Sequence, residues 1–305
     1  MTGPEAARPL VAGVELGGTK CVCILAAGPD RVVEEVRLPT RGADETLAAI
    51  CAVLDRWDGF GSLGVASFGP VCVDRRSPDW GRVGAATTKP GWAGAEIGRR
   101  LRQRYGVPVG FNTDVVGPAL AEARWGAAAG LADMAYVTVG TGVGAGLIAA
   151  GRPVDGLTHS EFGHLLPARA AEDDWPGACR FHGACVEGLA SGPAVAARAG
   201  RPANELAADH PAWDAAAHAL AQLAHALVMT GVPRRIVWGG GVMAQAHLLP
   251  RIRVLLARTL NGYLPLPELL DLDSFLVPAA LGGRAGPLGA IALARDALQS
   301  DPARA

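Results

Sequence analysis

Short apolar runs broken by glycine and proline open the chain. Residues 10–15, 20–26 and 31–38 are rich in Val, Ile and Cys and predict three β-strands. Residues 45–57 switch to helical spacing, with Leu47, Ile50, Val53 and Leu54 on one face. Residues 63–67 then predict a short buried strand, 95–105 a helix and 107–111 a further strand. The order is β-β-β-α-β-α-β. From Val115 the pattern begins again: 118–125 is helical, and 134–139 and 144–150 are strands. Helices near 193–198 and 213–230, a strand at 236–238 and a helix near 248–259 follow. A helix over 286–298 closes the chain before a polar tail.

Two segments resemble each other across these halves. Residues 14–25 read V-E-L-G-G-T-K-C-V-C-I-L and residues 137–148 read V-T-V-G-T-G-V-G-A-G-L-I. Each is strand, glycine-rich turn, threonine, strand, which points to a duplicated α/β unit with a cleft between the copies.

Composition narrows the ligand. The chain has 305 residues, 50% hydrophobic, enough for two lobes. Charged residues are 19% and the formal net charge is −1, so nothing favours nucleic acid or an anionic membrane. Residues 134–151 are nearly uncharged but carry five glycines and no long aliphatic block, which argues against a spanning helix. Residues 1–9 are polar and lack the apolar run of a leader. The expectation is a cytoplasmic protein with a small, locally recognised ligand. Of the six cysteines, Cys21, Cys23, Cys51 and Cys72 read as small buried hydrophobes, not halves of bridges.

Gly17-Gly18-Thr19-Lys20 lies between two strands, whereas a P-loop or a Rossmann turn opens a helix. Glycines there let backbone amides approach an anion, Thr19 adds a hydroxyl donor and Lys20 a positive charge. Gly140, Thr141 and Gly142 carry the same chemistry in the second copy. Read singly, either loop is also an ordinary hairpin turn; their matched placement favours phosphate. Gly239, Gly240 and Gly241 follow a strand and let a flat group such as adenosine rest on the main chain, or serve only as a tight connection. His164 with Cys179, His182 and Cys185 forms Cys-x-x-His-x-x-Cys plus a distant His, a donor set suited to a closed, structural Zn²⁺. The bland alternative is four unrelated side chains.

Taken in order, these signals resemble the ROK family of sugar kinases and related repressors. They are G-V-E-L-G-G-T-K, N-T-D-V-V-G-P-A-L-A-E, T-V-G-T-G-V-G-A-G, E-F-G-H, the Cys/His cluster and V-W-G-G-G-V-M, spanning Gly13 to Met243. Glu15, the T-K-P-G-W run from Thr88 to Trp92, Asn112-Thr113-Asp114 and Thr158-His159 look most like the family's zinc-containing bacterial fructokinases.

The resemblance implies an α/β actin/hexokinase-like (ribonuclease H-like) ATPase fold of two lobes with a cleft between them. Residues 1–112 would form a small lobe completed by the helix 286–298, and 113–285 a large lobe with the zinc loop. It implies ATP-dependent phosphorylation of a free hexose, fructose first, with glucose, mannose and N-acetylmannosamine as alternatives. Asp114 would be the general base; read alone, it is also a good helix N-cap. Glu15 would anchor Mg²⁺ through water. Asn112, Asp114, Glu161 and Glu187, with His159, would meet the sugar, and zinc would steady Glu161 and Glu187. A homodimer is the expected assembly. A sugar-sensing repressor is the reading of a different class, and a first strand near Leu10 leaves no room for an added DNA-binding domain.

Overall fold

Residues 9–300 are described in the computed structural model; the leaderless reading of residues 1–9 therefore falls almost wholly outside the described residues. The first sheet contains β1 (Val11–Leu16), β2 (Lys20–Gly28) and β3 (Arg31–Pro39). After α1 (Ala43–Leu54) come β4 (Leu63–Ser67), α2 (Gly98–Tyr105), β5 (Val109–Thr113) and α3 (Val116–Trp125). The strand order is β3-β2-β1-β4-β5, with β1–β2 and β2–β3 antiparallel and β1–β4 and β4–β5 parallel.

The second sheet contains β6 (Met134–Val139), β7 (Val143–Ala149) and β8 (Arg152–Pro153). Then follow α4 (Val186–Ala190), α5 (Gly192–Ala199), α6 (Pro211–Gly231), β9 (Ile236–Gly239) and α7 (Leu248–Leu260). Two one-turn helices, α8 (Pro267–Leu270) and α9 (Leu272–Phe275), lead to β10 (Leu276–Pro278), and α10 (Ala285–Gln299) ends the described chain. The order β8-β7-β6-β9-β10 repeats that of the first sheet: an antiparallel meander, then two parallel strands. The duplication visible in the two glycine-rich segments is thus a duplication of topology.

Two compact units result. Among the described residues, one comprises 9–121, 155–159 and 283–300, the other 122–154 and 160–282. The chain leaves the first unit inside α3, past the boundary at 112 read from the sequence, and Asp155–His159 return to it. Two contacts explain the return: Asn112 donates to Asp155, and His159 accepts the Val71 amide. The strand expected at 107–111 is displaced to Val109–Thr113, because Pro108 has no amide to offer and its carbonyl instead accepts from Leu63. Glu96 forms an antiparallel bridge with Arg82, and α2 starts only at Gly98.

In the first unit the period of two along the strands sorts the faces. Val14, Val65 and Phe111 point into a core with Leu47, Ile50 and Leu101. Their neighbours Gly13, Gly64 and Gly110 lie in register across β1, β4 and β5. A β-carbon on these glycines would strike Ala290, Ile291, Ala294 or the Leu293 backbone, so this row lets α10 lie directly on the sheet. In the second unit Val137, Val139 and Ala145 pack against Trp213, Leu220 and Leu227 of α6 and Ile252 and Leu256 of α7. All six cysteines are free; Cys72, expected to be buried, is only partly so. Among the described residues no helix is long and apolar enough to cross a membrane.

Candidate active site

The first glycine-rich turn is closed by the Gly17 amide donating to the Lys20 carbonyl at 3.1 Å. Thr40 fixes its outer side: its hydroxyl donates to the Gly17 carbonyl at 2.7 Å and its amide to the Thr19 carbonyl at 3.0 Å. Glu15, Ser67 and Asn112–Asp114 cluster at the carboxyl ends of the parallel strands β1, β4 and β5, the end where open α/β sheets gather ligands. Burial pushes the Glu15 carboxyl up to about 7, with Asp114 adding to the rise and Lys20 opposing it. Its carboxylate lies against Gly286 in the first turn of α10, where a helix start favours negative charge.

Asp114 stands half-buried at the end of β5, its amide donating to the Ser67 carbonyl at 2.8 Å. Thr113 caps the start of α3, its hydroxyl accepting the Val116 amide at 3.1 Å. Asn112 is 4% exposed and its side-chain oxygen accepts the Thr113 amide. Its amide nitrogen donates to Asp155 at 3.1 Å. Asp155, whose pKa burial raises, escaped sequence reading; a lone acid in a turn after β8 carries no signal. His159 is buried and its Nε2 accepts the Val71 amide at 3.1 Å, so that nitrogen is committed to holding the 69–71 segment.

In the second unit the Gly140 amide donates to the Gly142 carbonyl at 2.9 Å, closing the second turn and leaving Thr141 exposed. Glu187, expected at the sugar, places a carboxylate oxygen 3.1 Å from the Val143 amide and beside Gly142. The Gly192 amide donates to the Gly140 carbonyl at 2.8 Å. The second turn is thus held from both flanks by the segment around α4. Gly239 and Gly240 end β9, and Gly240 has φ +90° with the Val139 backbone where a β-carbon would be. Gly241 starts a single 3-10 turn, Gly241–Ala244, before α7. Glu161 is exposed and precedes the 3-10 turn Phe162–His164.

That turn brings His164 to the remaining members of the cysteine–histidine group. One donor atom from each of His164, Cys179, His182 and Cys185 lies within 4.8 Å of the others. His164 Nδ1 is 3.7 Å from Cys179 Sγ and 3.6 Å from Cys185 Sγ, and His182 Nδ1 is 3.8 Å from Cys179 Sγ. Paired backbone bonds between Cys179 and Gly183 fold the intervening residues into a tight turn. Cys185 is fully buried and caps α4, its sulfur accepting the Gly188 amide at 3.4 Å. These four side chains can hold a metal ion.

The sequence matches known proteins along nearly its whole length. It is 40% identical over 289 residues to a fructokinase from Zymomonas mobilis, covering 92% of this chain and 95% of that one. A solved structure of a ROK hexokinase from Thermus thermophilus aligns with a TM-score of 0.77 at 27% identity, over 96% of this chain and all of that one. A ROK family glucokinase from Streptomyces griseus, solved in complex with glucose and AMPPNP, aligns with a TM-score of 0.71 at 26% identity, over 94% of this chain and 99% of that one. The two repeated sheets are those of the actin/hexokinase-like two-lobe fold. The ROK family model matches residues 11–297, and the chain belongs to the ROK family.

Proposed function

We propose that the chain transfers the terminal phosphoryl group of ATP to the primary hydroxyl of a free hexose, fructose first, giving fructose 6-phosphate. The observation that carries this reading is Asp114, a half-buried carboxylate fixed through its amide to Ser67 and close enough to Glu15 to raise its pKa. Phosphoryl transfer asks little covalent help from protein: alignment, charge neutralisation and an acceptor for the hydroxyl proton. Asp114 takes that proton as the sugar oxygen bonds to the γ-phosphorus and the bridge to the β-phosphate breaks, releasing ADP. The turns Gly17–Lys20 and Gly140–Gly142 supply amides and hydroxyls to the phosphates, and Gly239–Gly241 the surface for adenosine. Two neighbouring half-buried carboxylates are a donor set that a divalent cation relieves, and Glu15 would hold Mg²⁺ through water. Mg²⁺ held there would neutralise charge on the phosphates. Asn112, Asp114, Glu161 and Glu187 contact the sugar; His159 orients residues 69–71 beside it. Fructose is favoured by the fructokinase relative and by the residues that resemble that group.

The cysteine–histidine group fits Zn²⁺. Bonds of about 2.3 Å to sulfur and about 2.1 Å to nitrogen in a tetrahedron put S and N about 3.6 Å apart. The three separations above are 3.6–3.8 Å. With four protein ligands such a site has no open position, so its role is structural.

The test is ATP-dependent phosphorylation across fructose, mannose, glucose and N-acetylmannosamine, with Asp114→Asn beside the parent. Fructose is expected to lead, and Asp114→Asn to lower kcat by about 10²–10⁴. A different leading hexose corrects the substrate; activity intact in Asp114→Asn removes the assigned base; no turnover with any sugar removes the kinase.

A further inference from the structure

We propose that Lys89 is a further catalytic residue, one that binds the γ-phosphoryl group of the nucleotide; the proposal rests on reading Gly17–Lys20 as a phosphate loop. The end of the Lys89 side chain, from Cε to Nζ, occupies the space where a β-carbon on Gly18 would be. Glycine at 18 therefore does two things. It frees the turn to present its backbone, and it lets an ammonium group from a distant segment lie on that backbone.

The position of Lys89 is built. The Lys89 amide donates to the Thr87 hydroxyl at 3.3 Å, and the Trp92 amide donates to the Lys89 carbonyl at 3.3 Å, folding residues 89–92 into a turn. Trp92 anchors that turn: it is 1% exposed and packs edge-on against Phe68 with centroids 5.0 Å apart. Its indole N–H donates to the Arg41 carbonyl at 2.7 Å. Thr40, the residue before Arg41, is the one that ties down Gly17 and Thr19. One short segment thus fixes both the phosphate loop and the turn that carries the lysine.

Charge completes the case. Lys20 acts on Glu15, whose pKa it lowers. Lys89 enters no ion pair among the described residues, and it remains half-exposed over the loop. An uncompensated ammonium carried by an anchored turn and lying against a glycine-rich turn matches an anionic group that arrives with the ligand. The terminal phosphoryl carries the most charge and spreads it over three oxygens during transfer, where such a cation is most useful.

The experiment is calorimetric titration of ADP and AMPPNP, each with Mg²⁺, into the parent, Lys89→Met and Lys89→Arg, with kcat and KM for ATP and fructose measured on the same preparations. Lys89→Met is expected to weaken AMPPNP by on the order of tenfold, leave ADP within about twofold, and lower kcat by on the order of a hundredfold. Lys89→Arg, which keeps the charge, is expected to recover part of both losses. An unchanged ratio of AMPPNP to ADP affinity overturns the proposal, as does an effect confined to the fructose KM. A parent that binds neither nucleotide overturns the loop assignment itself, a failure distinct from that of Lys89. Unfolding midpoints check the fold, and Lys89→Gln repeats the comparison should Lys89→Met prove unstable.

Discussion

Glu187 accepts the amide of Val143 at 3.1 Å, two residues beyond the buried sulfur of Cys185. A side chain expected at the sugar therefore also holds one end of the second glycine-rich turn. Gly192, just past α4, holds the other end through the Gly140 carbonyl. Because Cys185 caps α4, anything that frees its sulfur loosens the helix that carries Glu187 and leads into Gly192.

Metal removal should therefore reach the loop as well as the cluster. Chelation of the zinc-loaded protein is expected to raise amide hydrogen exchange at residues 140–143 by on the order of tenfold, and restored Zn²⁺ to reverse it. Cys179→Ser should act like the chelator, since it removes a ligand without touching the cap. Exchange at 140–143 that stays constant while bound metal is lost, by elemental analysis, would show that the cluster and the loop are independent.

The two carboxylates at the other loop give a pH dependence of definite sign. A carboxyl raised from 4.5 to about 7 keeps its proton in the native state after the unfolded chain has lost it. Its contribution is fully present below about 4.5 and is lost as pH rises through about 7, at up to about 1.4 kcal/mol per pH unit. Glu15→Gln removes the cost of burying the anion. Without Mg²⁺, the variant is expected to gain on the parent in urea midpoint across that window and hold the gain above it. It should also lose Mg·ATP turnover. A parent-to-variant difference that is flat with pH sinks the assignment.

How much of this was legible in the chain depended on sequence distance. The repeated strand–glycine–strand segments carry their periodicity locally, and they foretell two sheets of one topology. The cysteine–histidine cluster was legible because three of its members fall within seven residues, Cys179 to Cys185. The contacts of Asn112 with Asp155 and of Glu187 with Val143 were not, for the partners lie 43 and 44 residues apart with no pattern joining them. Lys89 stood in a recognisable run, but its place over Gly18 follows only from the packing of Trp92 under Arg41. Glu122 was read as one letter of a helical motif, and its burial came as a result of tertiary structure alone.

Glu122 has 0% exposure, and a buried carboxylate is tolerated only where donors surround it. It accepts the amides of Ala127 at 2.6 Å, Ala280 at 3.2 Å and Leu281 at 2.9 Å. The side chain thereby ties the turn after α3 to the segment after β10, two stretches more than 150 residues apart in sequence. Glu122→Ala leaves three amides without this acceptor, at about 1–3 kcal/mol for each that stays dry and unpaired. The expected loss is about 3 kcal/mol or more in urea unfolding of the whole chain. Glu122→Gln retains one carbonyl oxygen and should recover part of it. A loss under about 1 kcal/mol for Glu122→Ala would mean that water replaces the carboxylate and that these amides do not depend on it.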